Sequence, residues 1–374
     1  MYSEIERLLS QIKSESGHGV VRSTTTPGSV TASQSQRSTE QKRRIFTGVQ
    51  ILDTAIRELD SDNASPPILE LLGTPGSGKT QTLYRICANA ALPSTIADEG
   101  VTVRLNGHGS HVLFVDVDGK SDVRLLYQYM RELVSAKMDH VVRQMGDKHM
   151  LNQVVGSALD RIHVFSPETT QSLVATLSML PRYVAQRKIN PTDCVLLVDG
   201  LGANYWFDKR SADNSWLRVK RATPMFRLQQ LLVDTLQQAH RQMNCLCVVT
   251  NVLFLRNSSE PTLLAKSVSQ ESTMSMSQGS QGSHQPRQIQ QRNIEADKTV
   301  YRDHMIPRWQ NVVSRSFVLE TELCHEGGRV AAVDSGPVTE LRIMPVADGR
   351  SRQQPDRAYI GARGLQAAPA QSKQ

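Results

Sequence analysis

Residues 73–80 read Gly-Thr-Pro-Gly-Ser-Gly-Lys-Thr, which matches the pattern GxxxxGK[ST] at every position. These residue types suit one task. Gly73, Gly76 and Gly78 let the backbone curl tightly and leave room for phosphate oxygens. With Thr74, Pro75 and Ser77 they form a loop whose N–H groups face an anion, at the start of the helix that follows. Lys79 supplies a mobile positive charge to the terminal phosphates of a nucleotide, and Thr80 offers a hydroxyl to Mg²⁺. A second acidic site is required to position that metal. Residues 194–199 read Cys-Val-Leu-Leu-Val-Asp, an apolar strand ending in a carboxylate. Asp199 therefore stands at a strand's C-terminal end, where open α/β sheets place ligands. A third stretch, residues 114–118, reads Phe-Val-Asp-Val-Asp. An acid just beyond that strand could orient a water toward the γ-phosphate, or could be a solvated loop carboxylate. No NKxD-type guanine reader occurs.

The elements that must hold these residues can be read from hydrophobic periodicity. Short apolar runs at 68–72, 112–116, 162–165, 195–199 and 246–250 alternate with helix-period segments at 80–92, 121–138, 168–180 and 223–243. The last of these begins with Thr223 as N-cap and Pro224 in the first turn. Strands apolar on both faces, alternating with helices, predict an α/β fold with a buried, mostly parallel sheet flanked by helices. Runs at 316–320, 329–333 and 338–344 have no helices between them, which predicts an antiparallel C-terminal extension of the sheet.

Composition marks what lies outside the core. The 374 residues are only 39% apolar and 21% charged, below the ~45–50% apolar share of an ordinary globular chain. Residues 17–44 form a Ser-, Thr- and Gln-rich linker, and residues 257–297 repeat Ser-Gln steps as a disordered insertion inside the core of residues 45–346. Residues 347–374 are expected to be a flexible tail. Residues 1–16 carry Ile5, Leu8, Leu9 and Ile12 in one stripe, an amphipathic helix that packs on its own domain or on a partner. Five cysteines lack zinc or disulfide spacing, so buried free thiols in a reducing compartment are expected. No run of ~18 apolar residues is present, so no membrane contact is expected. The net charge of +7 permits nucleic-acid contact without requiring it. Lys209, Arg210, Arg218, Lys220 and Arg221 lie near Trp206 and Trp216, which fits either a single-strand track or a solvated helix rim. Lys42, Arg43 and Arg44 read as a nuclear targeting patch or a linker end.

From about residue 46 to 320 the sequence resembles the RecA family of recombinases, in its eukaryotic DNA-repair paralogue branch. It is most similar to the short type without an N-terminal DNA-binding domain. The resemblance rests on Phe46-Thr47-Gly48-Val49 with Leu52-Asp53, on Pro66 to Glu70 leading into the phosphate loop, and on residues 112–118. It rests most specifically on residues 196–208, Leu-Leu-Val-Asp-Gly-Leu-Gly-Ala-Asn-Tyr-Trp-Phe-Asp, and further on Tyr301-Arg302 and residues 309–313. It implies a RecA-like P-loop NTPase core that binds ATP through residues 73–80, with Mg²⁺ held by Thr80 and, through water, by Asp199. It places a first DNA loop at 207–214, with Lys209 and Arg210 as DNA-binding residues, and a second at the 257–297 insertion. It also implies sister paralogues in a hetero-oligomer, single-stranded or branched DNA, a nuclear setting, and homologous recombination of broken DNA. Two departures matter. The family's catalytic glutamate falls at Asp118, one methylene shorter, and its γ-phosphate-sensing glutamine falls at Val252. The expectation is an ATP-binding repair subunit with weak or absent hydrolysis. The alternative is a DNA-dependent ATPase acting directly in strand exchange.

Overall fold

The computed structural model describes residues 13–15, 45–60, 65–98, 101–145, 148–213, 224–255, 293–296, 299–302, 305–323, 339–345, 356–361 and 364–367. In chain order the strands are β1 (Lys13–Glu15), β2 (Ile68–Gly73), β3 (Thr95–Asp98), β4 (Val101–Arg104), β5 (His111–Asp116), β6 (Ile162–Phe165), β7 (Cys194–Asp199), β8 (Leu246–Val252), β9 (Phe254–Leu255), β10 (Asn293–Ala296), β11 (Thr299–Arg302), β12 (Arg315–Leu323), β13 (Thr339–Pro345), β14 (Asp356–Gly361) and β15 (Gly364–Ala367). The helices are α1 (Gln50–Asp60), α2 (Lys79–Ala91), α3 (Val123–Met145), α4 (Lys148–Leu159), α5 (Thr170–Gln186), α6 (Tyr205–Asp213), α7 (Pro224–Met243) and α8 (Pro307–Gln310).

The central sheet runs β1-β6-β5-β7-β8-β2-β12-β13-β14-β15. Pairing is parallel from β1 to β12 and antiparallel from β12 to β15. The expected α/β architecture with an antiparallel C-terminal extension is therefore present. Period-two alternation gives each strand two apolar faces. In β7, Val195 and Leu197 pack with residues of α1 to α4, whereas Leu196 and Val198 pack with residues of α5, α7 and α8. The helix expected over 223–243 begins at Pro224, and those over 80–92, 121–138 and 168–180 are shifted or extended at their ends. Cys87, Cys194, Cys245 and Cys247 are buried free thiols. Burial pushes the Cys194 and Cys245 thiols up to about 12. No helix among the described residues is long and apolar enough to cross a membrane.

Four expectations change. Within the stretch expected to be an N-terminal helix, Lys13–Glu15 instead pair in parallel with β6. The open edge of β6 offers backbone donors and acceptors that any short segment can satisfy, whatever its side-chain pattern. Within the expected tail, β14 and β15 form a hairpin on β13. The run Ala358-Tyr359-Ile360, with Gly361 and Gly364 closing a two-residue connection, carries the strand and turn signals that its polar surroundings masked. The insertion ends sooner than expected, because residues 293–296 form β10 and pair with β11. The stretch expected as a first DNA loop is helical through Asp213; it contains neither Gly nor Pro to interrupt α6. The expected linker, the N-terminal apolar stripe, Thr223, Cys324, the run at 329–333, residues 257–292 and Trp216 with its neighbouring cations lie outside the described residues.

Candidate nucleotide site

β2 is buried along its whole length and delivers the loop at its carboxyl end. A Cβ on Gly73 would lie 2.2 Å from Ser77 Oγ and 2.7 Å from the Leu319 carbonyl, so no side chain fits there. Gly78, at φ 82°, occupies the left-handed region at the N-cap of α2. The loop therefore turns directly into a helix whose first N–H groups lack intrahelical partners, the arrangement that favours an anion. Lys79 folds back over the loop, where its Nζ donates to the carbonyls of Gly73 at 2.9 Å and Thr74 at 2.8 Å, and to Ser77 Oγ at 3.3 Å. Burial lowers its ammonium to about 8, against the pull of Asp199 and Asp118.

Asp199 is brought to this loop by strand order. β7 is separated from β2 by β8 alone, and all three end at the same edge. Thr80 Oγ1 donates to Asp199 Oδ2 at 2.8 Å, so the two expected metal-site residues meet across 119 positions of sequence. Thr250 Oγ1 donates to Asp199 Oδ1 at 2.6 Å and accepts from the Gly200 N–H at 2.7 Å. Asp199 is buried, which raises its pKa; the hydrogen bonds from Thr250 and Thr80 oppose that rise, and the nearby Asp116 and Asp118 add to it.

The two acids after β5 have separate surroundings. Asp116 accepts from the N–H groups of Gly119 at 2.9 Å and Ser121 at 3.0 Å, so its carboxylate shapes its own loop. Asp118 keeps 35% side-chain exposure, contacts Lys120 Nζ at 3.1 Å, and its Cβ would lie 3.4 Å from a Cβ on Gly200. It thus borders the turn that follows Asp199. Val252 pairs in register with Gly73 and supplies no hydrogen-bonding side chain beside the loop.

α6 leaves this same edge of the sheet. Among its described side chains Tyr205 and Asp208 are buried, and Asp208 Oδ2 accepts from Thr170 Oγ1 at 2.6 Å, anchoring α6 to the start of α5. Helical spacing turns the neighbours outward. Trp206 is 53% and Phe207 64% exposed; Lys209 and Arg210 are exposed, with Lys209 Nζ 5.0 Å from the centre of the Trp206 ring.

A second polar cluster under the loop is absent from the sequence-derived site. Glu70, in β2, is fully buried. Its Oε1 accepts from Asn251 Nδ2 at 2.9 Å and Trp309 Nε1 at 2.6 Å, and its Oε2 from Ser316 Oγ at 2.7 Å. The available signal was an acid inside an otherwise apolar strand run, a type almost never buried without partners.

Comparison with known proteins adds the following. No family model matches the chain. It is 27% identical to the DNA repair protein XRCC2 of Mus musculus, over 46% of this chain and 58% of that protein, so it spans little more than half of that relative's length. Among solved structures, the RadB recombinase superposes with a TM-score of 0.46 at 13% identity, covering 87% of this chain and 100% of that one. The parallel sheet and the phosphate loop at its carboxyl edge thus accompany a partial similarity to the DNA repair protein XRCC2.

Proposed function

We propose that the chain is an ATP-binding subunit of a recombinase-paralogue complex that assists repair of DNA double-strand breaks by homologous recombination in the nucleus. The observation that carries this reading is the loop at residues 73–80, with Lys79 at its centre and Thr80 joined to Asp199. The residues present suit Mg²⁺: a hydroxyl and a carboxylate form an oxygen-only donor pair, and a hard cation prefers oxygen. When bound, the metal would neutralise phosphate charge. The chain's own contribution is to cradle phosphates on backbone N–H groups, to place the Lys79 ammonium, and to hold Asp199 through Thr250.

Hydrolysis is weak or absent in this reading, because Asp118 is one methylene shorter than a glutamate and Val252 cannot hydrogen-bond. Nucleotide then acts as a ligand of the fold and of its interface with a sister paralogue; at 100 times the dissociation constant it stabilises the bound state by ~2.7 kcal/mol. DNA contact is assigned to α6, where exposed Trp206 and Phe207 provide stacking faces beside Lys209 and Arg210. The alternative, a DNA-dependent ATPase acting directly in strand exchange, draws on the position of Asp118 against the Gly200 turn.

The test is co-purification of the full chain with candidate sister paralogues, followed by ATP binding and turnover with and without single-stranded DNA. A stable heteromeric complex that binds ATP, loses it on Lys79→Ala and turns over little is expected. Robust DNA-stimulated turnover by the isolated chain would establish the alternative.

A further inference from the structure

We infer that Glu70 is a positioning residue that couples the turn after Asp199 to α8; the inference rests on the nucleotide-site reading above. A carboxyl group wholly removed from water is costly unless its oxygens are satisfied. Here three donors from three elements converge on it: Asn251 of β8, Trp309 of α8 and Ser316 of β12. Ser316 is its register partner in β12, and Asn251 lies two residues beyond its register partner Val249 in β8, so these two bonds run between neighbouring strands. Trp309 reaches it from α8, outside the sheet.

Both ends of the Asn251 amide are engaged. Its Oδ1 accepts from the Gly202 N–H at 3.0 Å while its Nδ2 donates to Glu70. Gly202 lies in the turn that begins at Gly200, whose N–H is held by the same Thr250 hydroxyl that holds Asp199. The Gly202 position also adjoins Met305, since a Cβ there would lie 4.0 Å from Met305 Sδ and 3.2 Å from Asn251 Oδ1. Trp309 and Asn251 share one oxygen, Glu70 Oε1. A shift of the turn that re-aims the Asn251 amide therefore competes directly with the indole N–H. In sequence, Asn251 lies just before β9 and Trp309 just after β11, and β9 and β11 pair with each other. Glu70 thus bridges the two sides of the long insertion at its base. Val252, the next residue after Asn251, has no side-chain donor or acceptor with which to carry that link.

A ligand that draws the Thr80 hydroxyl away leaves Asp199 with Thr250 as its remaining side-chain donor among those described. Displacement of the turn is then passed through Gly202 and Asn251 to Glu70 and Trp309.

Hydrogen–deuterium exchange of the full chain tests this, read at residues 305–313, whose amides include the bonded N–H groups of Trp309, Val312 and Val313. Saturating Mg·ATP is expected to slow exchange there about fivefold, the size of a 1 kcal/mol change in local opening. Trp309→Phe keeps an aromatic ring and removes the N–H; it is expected to bind ATP as the parent does and to lose most of the response. Glu70→Gln keeps one oxygen for Asn251 and Trp309 and is expected to retain it. A parental response in Trp309→Phe, or no response in the parent while ATP is bound, overturns the inference. A second arm needs no nucleotide. The melting-temperature shifts of Asn251→Ala and Trp309→Phe should combine to less than their sum, because both act on Glu70. Additive shifts overturn the inference even if the chain binds no ATP, whereas non-additive shifts with no ATP binding would leave the coupling standing and remove only the nucleotide reading.

Discussion

Thr250→Val is the most informative single substitution at the site. Valine is nearly isosteric with threonine, so the buried packing at this position, 1% exposed, is largely kept. What is lost is the hydroxyl. It donates to Asp199 at 2.6 Å and accepts from the Gly200 N–H at 2.7 Å. A hydrogen bond to a charged group contributes ~1.5–3 kcal/mol, and a buried N–H left unsatisfied costs ~1–3 kcal/mol. Together they give a loss of ~3 kcal/mol, allowing for partial relaxation, and a fall in melting temperature of about 4–6 °C for a chain of this size. A second effect concerns protonation. The Thr250 hydrogen bond opposes the rise in Asp199 pKa that burial imposes. Removing it pushes that pKa higher still, so metal-dependent nucleotide binding should weaken more toward acid pH than at neutrality. The assay is thermal unfolding with and without Mg·ATP, repeated across mildly acid to neutral pH. Thr250→Ser restores the hydroxyl and should recover most of the loss. A Thr250→Val protein that melts within ~2 °C of the parent, with an unchanged nucleotide-induced shift, would show that the hydroxyl is not what holds Asp199.

Three further outcomes are expected. Burial holds Lys79 at about 8 against an ordinary value of 10.5, so the folded state binds fewer protons than the unfolded chain between those limits. Its contribution to stability therefore rises with pH through that window, while ATP affinity, which needs the ammonium, falls about tenfold per pH unit above 8; nucleotide titration from neutral to alkaline pH checks this. Asp118→Glu should raise ATP turnover by about tenfold or more at unchanged affinity, because ~1 Å of reach at a catalytic carboxylate is worth up to ~10²-fold; phosphate release measures it. Lys209→Gln with Arg210→Gln should weaken single-stranded DNA binding and flatten the log–log salt slope by about 0.7 for each phosphate that is no longer neutralised, measured by anisotropy across a salt series.

The parallel sheet was legible because β5, β7 and β8 are continuous apolar runs, and such runs occur where both faces are covered. The phosphate loop was legible because its glycines answer a steric demand that other residues cannot meet; at Gly73 a Cβ would collide with Ser77 and Leu319. Asp199 was legible as a strand-ending acid given that loop. Glu70 was not, since its role depends on Asn251, Trp309 and Ser316, between 181 and 246 positions away, which no local pattern connects. The β14–β15 hairpin escaped because its strand and turn signals sit in polar surroundings, and β1 for another reason. Edge strands draw on backbone hydrogen bonding, and a polar sequence with little periodicity can supply it.

The anchoring of α6 has a thermodynamic consequence. A binding segment that folds only on its partner shows a large negative heat-capacity change and gives up part of its interaction energy to ordering. Tyr205 and the Asp208–Thr170 bond hold α6 in place without any ligand. Engagement of Trp206, Phe207, Lys209 and Arg210 by a single strand should therefore carry the modest heat-capacity change of covering two rings without the larger one of folding a helix, and calorimetry at several temperatures would report rigid docking of a preformed surface.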